Sequence, residues 1–479
     1  MNQIKLNRSL LYSLFLLFII GVTVSCHFTP DIQINEQQAR LAPDWITRGI
    51  IYQIQPRAFT VEGTLKAAIP RLSKVADLGM NILYLCPVFV ADDDMDQAFW
   101  SPRQKASGMN SPFNPYRMKD YYHVDPEYGT DNDLKDFINE AHRLDMRVML
   151  DMVYLHCGPT AIFIKDHPDF IKHDKDGKAV NAAWSFPALN YANPELREYL
   201  WQNLEYWVKE FNVDGFRLDV ADGIPLDFWE TARDRLEKIR PDIGMLAEGQ
   251  NRVEDQVKAF DVNYSFTWFG KVRKIYDKGQ SVSSLRNTWD SLNAAFPRGA
   301  RFIRFIDNHD ITNDAFHNRI EKAWGTKGVN AALTMIFTLD GLPFLYNGQE
   351  VADTSRHSIF GRLPINWAGG DTQIGKERFA FCQKLSEIRL AERSLTEGSL
   401  EWIDNDAPNE VLSYLRTIDG EKILVIINLT ELPVKTKLEG LSKTEIKSIK
   451  PLLEEGIKGD VQKGLMIQGY GFRIGKMTN

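Results

Sequence analysis

Three carboxylic acids and one arginine stand at the ends of short apolar runs, in an order compatible with one catalytic site. Arg217 and Asp219 end the run at residues 215–219, and residues two apart on a strand point to the same side. Glu248 and then Asp310 follow after about one and about two further strand–helix units of roughly 30 residues each. A structural ion pair would explain Arg217 and Asp219 alone. Three acids in this register predict a parallel barrel with its chemistry on one rim.

Acids in this arrangement suit glycosyl transfer. A retaining glycosidase uses a nucleophilic carboxylate and a protonated carboxyl group roughly 5 to 5.5 Å apart. The positive charge of Arg217 is expected to hold Asp219 ionised as the nucleophile. Glu248 follows an apolar run, which predicts a raised pKa and the role of the acid. Metal-dependent hydrolysis is the rival use of such residues, but the sequence contains no H-E-x-x-H or comparable ligand spacing, so no metal site is predicted.

The composition is that of an ordinary globular protein. The chain has 479 residues, of which 44% are hydrophobic and 25% are charged, and its formal net charge is −7. This length has room for a barrel of roughly 250 residues or more together with further structure. An acidic chain without a basic tract repels phosphate, so no nucleic-acid partner is expected.

Strand and helix patterns alternate along most of the chain, as in consecutive βαβ units. Apolar runs predict strands at residues 49–55, 81–86, 147–153, 215–222, just before 248, 301–307 and 342–346, with a further segment around 260–264. Helical spacing predicts helices at residues 65–78, 131–144, 193–211, 226–239, 329–339 and 376–392. The predicted fold is therefore α/β, a (β/α)8 TIM barrel.

Two stretches depart from this alternation. Residues 157–193 are too long for a simple loop and predict an inserted subdomain over the rim after strand three. The Asp-Gly turn at residues 174–178 is expected to be a plain hairpin, because no Glu follows at the spacing of a calcium loop. Short strands at residues 411–416, 422–428 and 434–438 predict a C-terminal antiparallel β-domain.

These elements predict the following organisation of the chain. Residues 1–25 are a signal peptide and residues 26–44 a linker. The barrel is formed by residues 45–156 and 194–394, and it is interrupted by the inserted subdomain B at residues 157–193. Residues 395–479 form a C-terminal β-sandwich.

The N-terminus has the pattern of an export signal. Lys5 and Arg8 precede an apolar run at residues 10–20, which is short for a membrane span. Small residues lead to Cys26, as in a bacterial lipoprotein signal, so we expect an exported lipoprotein anchored by lipid on Cys26 and facing the periplasm. Thr23 stands where such signals usually have a larger aliphatic residue, so cleavage by an ordinary signal peptidase, or a retained anchor, is the alternative.

The remaining cysteines are Cys86, Cys157 and Cys382. An odd number in an exported protein excludes full internal pairing and predicts no disulfide framework. We interpret them mainly as buried thiols. Cys86 and Cys157 end neighbouring predicted strands, so a contact between these two is the alternative.

Several motifs in order resemble those of the α-amylase family, glycoside hydrolase family 13. They lie at residues 151–156 after strand three, 215–219 on strand four, Glu248 after strand five and 308–310 after strand seven, with supporting motifs at 111–116, 120–122, 128–130 and 186–190. Any one of them alone is weak. Together they extend the resemblance over essentially the whole mature chain.

The resemblance implies a role for each matched position. Asp219 would be the nucleophile, Glu248 the general acid/base, and Asp310 the acid that binds sugar hydroxyls and stabilises the oxocarbenium-like transition state. Arg217, His156 and His309 would contact the glucosyl unit before the cut, and Tyr116 would stack on its ring. The implied activity is retaining hydrolysis of α-1,4-glucosidic bonds in maltooligosaccharides or related α-glucans, without a cofactor.

The sequence also departs from the family at specific positions. Leu155 stands where the family commonly has the Asn that ligates a structural calcium, and it offers no oxygen ligand, so that calcium is not expected. Asp222 and Gly223 replace the Lys-His pair of many endo-amylases, which favours short substrates. An α-glucan transglycosylase or a trehalose-forming isomerase would use the same acids. A non-catalytic binding protein on this barrel is a further alternative, which the three intact acids disfavour.

Overall fold

Eight parallel strands form the centre of the protein, a computed structural model that describes residues 33–314, 319–461 and 463–477. The strands are β1 (Ile51–Ile54), β2 (Ile82–Leu85), β3 (Arg147–Met152), β4 (Gly215–Leu218), β5 (Gly244–Ala247), β6 (Val262–Asn263), β7 (Ile303–Arg304) and β8 (Leu342–Tyr346). They are hydrogen-bonded in the order β6-β5-β4-β3-β2-β1-β8-β7. A parallel bridge between Asn263 and Phe302 joins the two outer strands. The TIM-barrel prediction is confirmed.

Side chains on the barrel strands alternate between two buried clusters. Tyr84, Met149 and Leu246 belong to the cluster inside the barrel, whereas their neighbours Leu83 and Leu85 pack outward against the helices. Because side chains on a strand alternate with a period of two, the next interior positions beyond Met149 and Leu246 are Asp151 and Glu248. The alternation that fills the barrel therefore also directs these acids to its upper end.

Helices cover the barrel from outside. Their bounds are Asp44–Thr47, Pro56–Phe59, Leu65–Ala68, Leu72–Asp77, Pro102–Ala106, Asp131–Arg143, Pro194–Phe211, Leu226–Glu237, Asp255–Lys258, Phe266–Lys278, Ser283–Ala295, His309–Asp314, Ile320–Thr338, Gln373–Ala391, Arg393–Thr396 and Lys443–Ser448. The predicted helix at residues 65–78 is divided by a 3-10 turn at Ile69–Arg71. Pro70 lies in that turn, where its missing N–H and its ring break the regular hydrogen bonding of a helix.

Two predicted strands are at least four residues shorter in the structure. The strand predicted at residues 215–222 ends at Leu218, because Val220 has a left-handed backbone with φ of 43°. The strand predicted at residues 301–307 is reduced to Ile303–Arg304. Asp219 therefore directly follows its strand, and His309 and Asp310 lie at the start of the helix His309–Asp314.

Two excursions lie between β2 and β4. The first contains an antiparallel ribbon of Phe89–Ala91 and Met118–Val124. The second, residues 157–193, contains short 3-10 turns and isolated bridges. Within it His173 pairs with Ala179 across the predicted Asp-Gly turn, so the hairpin prediction is confirmed.

The C-terminal strands form one antiparallel sheet. They are β9 (Ser399–Trp402), β10 (Val411–Ile418), β11 (Glu421–Asn428), β12 (Val434–Thr436), β13 (Ile449–Asp460) and β14 (Gly464–Met477). The predicted C-terminal antiparallel β-domain is confirmed, and β14 pairs with β11, β12 and β13 and so connects the strands. Residues 34–479 form one compact unit, in which Tyr414 of this sheet hydrogen-bonds Thr338 of a barrel helix at 2.6 Å.

The predicted linker is partly folded onto the barrel. Ala39 donates its backbone N–H to Arg298 O at 2.9 Å, and Arg40 forms ion pairs with Glu237 and Asp261. The predicted signal peptide and Cys26 lie outside the described residues. No helix within the described ranges is long and apolar enough to cross a membrane.

The cysteines of the folded region are unpaired. Cys86, Cys157 and Cys382 are all buried as free thiols. The interpretation as buried thiols is confirmed, and Cys86 and Cys157 do not form a disulfide.

Candidate active site

One buried guanidinium group connects three acids at the upper end of the barrel. Nη1 of Arg217 donates to Oδ1 of Asp151 at 2.6 Å and to Oδ1 of Asp219 at 2.7 Å. Its Nη2 lies 2.9 Å from Oε2 of Glu248. The side chain of Arg217 has no solvent-exposed surface. The arginine therefore fixes β3, β4 and β5 relative to one another through the acids at their ends.

The two acids predicted to carry the chemistry differ in pKa. Burial raises the pKa of Glu248 to about 8, with Asp219 and Asp310 adding to the effect and Arg217 opposing it. Burial also raises the pKa of Asp219 to about 6, although Arg217 lowers it. Arg217 favours the ionised form of Asp219, as expected, but removal from water has the larger effect on this pKa. The order of the two values still leaves Asp219 the stronger acid.

Asp310 is the third predicted acid, and a residue absent from the sequence prediction contacts it. Nη1 of Arg103 donates to Oδ1 of Asp310 at 2.5 Å. Burial raises the pKa of Asp310, but His309, Arg103 and Arg217 together outweigh burial and leave it below the ordinary value. Since burial lowers the pKa of His309 to about 4, that ring is neutral near pH 7, and Arg103 is the cation in contact with Asp310.

A chain of hydrogen bonds determines the proton position on His309. Gln53 accepts the backbone N–H of His309 at its Oε1, so its Nε2 donates to Nδ1 of the ring at 2.7 Å. The Nε2–H of His309 then donates to Oη of Tyr116 at 2.7 Å. Tyr116 donates in turn to Oδ2 of Asp151 at 2.8 Å. Each donor has one acceptor, which is consistent with the neutral ring.

Tyr116 belongs to this chain of hydrogen bonds, and His156 is connected to it through Tyr116. The Tyr116 ring stacks on His309 at a centroid distance of 5.4 Å. His156 donates from Nε2 to Tyr116 O at 2.8 Å, and burial lowers its pKa to about 4. The structure thus brings both predicted sugar-binding residues to the predicted acids.

The acids open into a cavity of about 400 Å³. It is lined by Ser101, Arg103, Asn114, Tyr116, His156, Trp184, Phe186, Asp219, Val220, Asp222, Glu248, Gly249, Gln250, Asn251, Phe266, Thr267, His309, Asp310, Ile359 and Phe360. Arg217 is not part of this lining. It contacts the acids from beneath the cavity floor, and its contact with the sugar stays a prediction.

Asp222 is engaged with the loop that follows the acid. Its Oδ2 accepts the backbone N–H groups of Gln250 and Asn251 at 2.9 and 2.8 Å. A Cβ added at Gly249 would overlap the same carboxylate, so residue 249 has to be glycine for this approach. Asp222 thus positions the loop behind Glu248, a role that the comparison with endo-amylases did not predict.

The sequence analysis missed several lining residues. Trp184 and Ser185 have left-handed backbones, with φ of 63° and 68°, and Trp184 lies edge-on to His156 at 5.8 Å. Trp184 could have been predicted from the sequence as an aromatic residue within the inserted segment. No local pattern indicated Arg103, which lies in the short helix Pro102–Ala106.

Comparisons with known proteins agree with this geometry. The family model for the α-amylase catalytic domain matches residues 35–178 and 180–392. The intracellular maltogenic amylase of Bacillus subtilis is 26% identical over 442 residues, covering 82% of this chain and 70% of that protein. A cyclomaltodextrinase from a Bacillus species is 27% identical over 450 residues, covering 82% of this chain and 75% of the relative.

Solved structures share the fold over most of the chain. A noncanonic maltogenic α-amylase from Thermotoga neapolitana has a TM-score of 0.75 at 25% identity, covering 91% of this chain and 99% of its own. An α-amylase from Lactobacillus plantarum has a TM-score of 0.72 at 27% identity, covering 90% and 99% respectively. Since the family model extends over well more than half of the residues, the chain belongs to the α-amylase family of glycoside hydrolases.

Proposed function

We propose that this protein is a retaining α-glycoside hydrolase that cleaves α-1,4-glucosidic bonds of maltooligosaccharides or related α-glucans. The observation that carries the proposal is the contact of one guanidinium group, that of Arg217, with both Asp219 and Glu248. Acids on adjacent nitrogens of one guanidinium favour the short separation of retaining enzymes, about 5 to 5.5 Å, over the roughly 6.5 to 9.5 Å of inverting ones.

The pKa order assigns a step to each acid. Near pH 7, Asp219 is largely ionised and attacks the anomeric carbon, while Glu248 is largely protonated and transfers its proton to the departing glycosidic oxygen. Glu248 then takes a proton from water as that water attacks the glycosyl–Asp219 ester. This proton restores the protonated form of Glu248, and Asp219 is released as the carboxylate.

Asp310 supports these steps without changing its bonds. Its pKa lies below the ordinary value, so it remains an anion that accepts hydrogen bonds from sugar hydroxyls and stabilises the positive charge developing on the ring. The family relatives named maltogenic amylase and cyclomaltodextrinase support a glucan with α-1,4 linkages as the substrate class.

The test is incubation with maltooligosaccharides, pullulan, cyclodextrin and starch, followed by product sizing. NMR of the first product would report its anomeric configuration, and we expect the α-anomer. The Asp219→Asn variant is the control for contaminating activity. Cleavage with a β-anomeric product would contradict retention, and absence of cleavage of any glucan would favour the binding-protein alternative.

A second arm of the experiment adds an acceptor sugar. A hydrolase gives products of the same size with and without the acceptor, whereas a transglycosylase gives longer oligosaccharides. A trehalose-forming isomerase would convert maltose into a non-reducing product. Longer oligosaccharides, or a non-reducing product from maltose, would leave the roles of the three acids unchanged and would identify the reaction as transfer and not hydrolysis.

We also propose that the protein is exported and anchored by lipid on Cys26. The support is the basic and apolar N-terminal pattern before this cysteine. Metabolic labelling with a fatty acid should mark the wild-type protein and not the Cys26→Ser variant. Surface protease that removes the protein from intact cells would contradict the periplasmic location.

A further inference from the structure

Two carboxylic acids meet behind the loop that follows Glu248. Asp222 belongs to the 3-10 turn Ala221–Gly223, and Asp255 is the first residue of the helix Asp255–Lys258. Their side chains lie within hydrogen-bonding distance of each other. Oδ1 of Asp222 and Oδ2 of Asp255 are both buried, and no other hydrogen-bonding group among the described residues reaches either oxygen. Because two ionised carboxylates have only acceptor atoms, a hydrogen bond between them requires one proton.

Asp255 is the residue that carries this proton. Its side chain has no exposed surface. Burial raises its pKa to about 7, although Arg252 lowers it, and Asp222 adds to the rise. Arg252 donates from Nε to Oδ1 of Asp255 at 2.5 Å, which leaves Oδ2 for the proton. Asp222 is the acceptor, because its Oδ2 already accepts two backbone N–H groups, as a carboxylate does.

The other charged groups near this pair are directed elsewhere. Nη1 and Nη2 of Arg252 donate to two backbone carbonyl oxygens at 2.6 and 3.0 Å. Glu254, next to Asp255 in the chain, is partly exposed. Arg252 thus faces two acids with one positive charge, which compensates a single carboxylate. Charged side chains on the surrounding elements have contacts of their own: Glu248 with Arg217, Arg233 and Arg40 with Asp261, Glu237 with Arg40, and Lys258 with Asp234.

Asp222 connects this pair to the catalytic cavity. Its Oδ2 accepts the backbone N–H groups of Gln250 and Asn251, which both line the cavity. Oε1 of Gln250 in turn accepts the N–H of Thr267, another lining residue, at 2.7 Å. The turn that carries Asp222 also contacts the acid itself, because a backbone N–H of that turn donates to Glu248 O at 2.9 Å. A movement of Asp222 would therefore displace the cavity wall and the backbone of Glu248.

We propose that Asp222 and Asp255 share one proton, and that this proton positions the loop at residues 249–251 beside Glu248. When the proton is lost, two adjacent carboxylates repel each other, and the loop loses its fixed place in the cavity wall. Asp255 is thus a positioning residue, because it acts through Asp222 and is not part of the cavity lining. The effect on activity rests on the proposed function, whereas the shared proton can be tested without a substrate.

The melting temperature tests the shared proton. The folded wild type keeps Asp255 protonated up to about pH 7, whereas the unfolded chain ionises this group at lower pH, so stability is lost as the pH rises from about 4 to about 7. The amide of Asp255→Asn donates to Asp222 at every pH. Its melting temperature relative to the wild type should therefore increase by about 2 °C or more over this range.

Asp234→Asn is the matched control for this measurement. Asp234 is in an exposed ion pair with Lys258 at 3.1 Å, so its melting temperature relative to the wild type should change by less than about 1 °C over the same range. A difference that stays constant with pH in Asp255→Asn as well would overturn the shared proton.

Michaelis constants test the positioning role. The KM of the wild type for maltotetraose should rise roughly threefold or more between about pH 6 and about pH 8, because the released loop no longer holds its lining residues in place. Asp255→Asn should keep the low KM at both pH values. Asp255→Ala supplies no donor to Asp222 and should have the high KM at both. The fall of kcat through about pH 8 belongs to Glu248 and should remain in all three proteins.

The outcomes separate this inference from the proposed function. If the KM of the wild type and that of Asp255→Asn change alike with pH, the positioning role is overturned and the hydrolase assignment stands. Absence of cleavage of any glucan would contradict the proposed function, while the melting temperatures would still confirm or overturn the shared proton.

Discussion

Val220 donates its backbone N–H to Oε2 of Glu248 at 2.9 Å from a left-handed conformation with φ of 43°. A β-branched residue in this region is strained, at a cost of about 1 to 2 kcal/mol. Val220 directly follows Asp219, so the strained residue connects the two acids of the proposed reaction. The strained backbone of Val220 therefore lies where it holds Asp219 and Glu248 at a fixed distance.

Replacing Val220 by glycine tests this role. We expect Val220→Gly to change the free energy of unfolding by less than about 1 kcal/mol, because relief of the left-handed strain offsets the added freedom of the unfolded chain. The catalytic rate should fall, since the loop between the acids becomes less restrained. Val213→Gly, at a fully buried position, is the matched control and should destabilise by about 2 kcal/mol or more. Equal losses of stability in the two variants would contradict the strain.

The Asp219→Asn variant should lose nearly all activity and remain folded. The amide has the shape of the carboxylate and keeps an oxygen for Nη1 of Arg217, which lies 2.7 Å from Asp219, but it cannot attack the anomeric carbon. Turnover on a maltooligosaccharide and the melting temperature are the two measurements. More than a few per cent of wild-type turnover would assign the nucleophile to another residue.

The pH dependence of activity should be bell-shaped. Activity requires Asp219 ionised and Glu248 protonated, so kcat/KM should fall as the pH drops through about 6 and as it rises through about 8. A profile that stays flat up to pH 9 would exclude Glu248 as the acid.

Stability should depend on Glu248 in the same range of pH. The pKa of Glu248 is higher in the folded protein than in the unfolded chain, so the carboxyl contributes stability at low pH that is lost as the pH rises towards about 8. Glu248→Gln has no proton to lose. Its melting temperature relative to the wild type should therefore increase between about pH 5 and pH 8, and a constant difference would contradict the raised pKa.

Chelators should leave the melting temperature almost unchanged. Leu155 packs towards Gly223, and within the described residues no group of three or more His, Cys, Asp or Glu side chains could hold a metal ion. In the rim loop, Nη2 of Arg117 donates to the carbonyl oxygens of Asp92 and Asp94 at 2.9 and 2.8 Å. A guanidinium thus occupies oxygens that a hard cation would need.

The same loop supplies the control for the chelator experiment. Arg117→Ala should lower the melting temperature, because the carbonyl oxygen of Asp92 loses this donor and that of Asp94 keeps Nε1 of Trp100 at 3.2 Å. A calcium-dependent rise of more than a degree or two in the wild-type protein would show that another loop binds the ion.

Short α-1,4-glucans should be better substrates than amylose. The carboxylate of Asp222 accepts the backbone N–H groups of residues 250 and 251, and Gly223 has no side chain. Neither residue therefore replaces the hydrogen bonds of the Lys-His pair. The loss should weaken binding of leaving sugars by roughly 1 to 3 kcal/mol. The measurement is kcat/KM for maltotetraose relative to amylose per chain end. A ratio well below one, with large internal fragments early in digestion, would contradict the preference.

Much of the barrel was predictable because its determinants are local. The period-two alternation that places Tyr84, Met149 and Leu246 inside the barrel continues to Asp151 and Glu248 at the strand ends, and this pattern is visible in the residues themselves. Strands β13 and β14 were missed because glycines and charged residues interrupt the apolar alternation, and pairing with neighbours stabilises them instead.

Other properties of the site arise only from contacts between distant parts of the chain. Arg103 and Asp310 are 207 residues apart, and no local pattern predicts that they meet. The sequence identified Asp219 and its neighbour Arg217, but the sign of the pKa shift at Asp219 depends on how completely the folded barrel excludes water. Alternation along a strand is a property of neighbouring residues, whereas desolvation and the Arg103–Asp310 contact depend on what the rest of the fold packs around them.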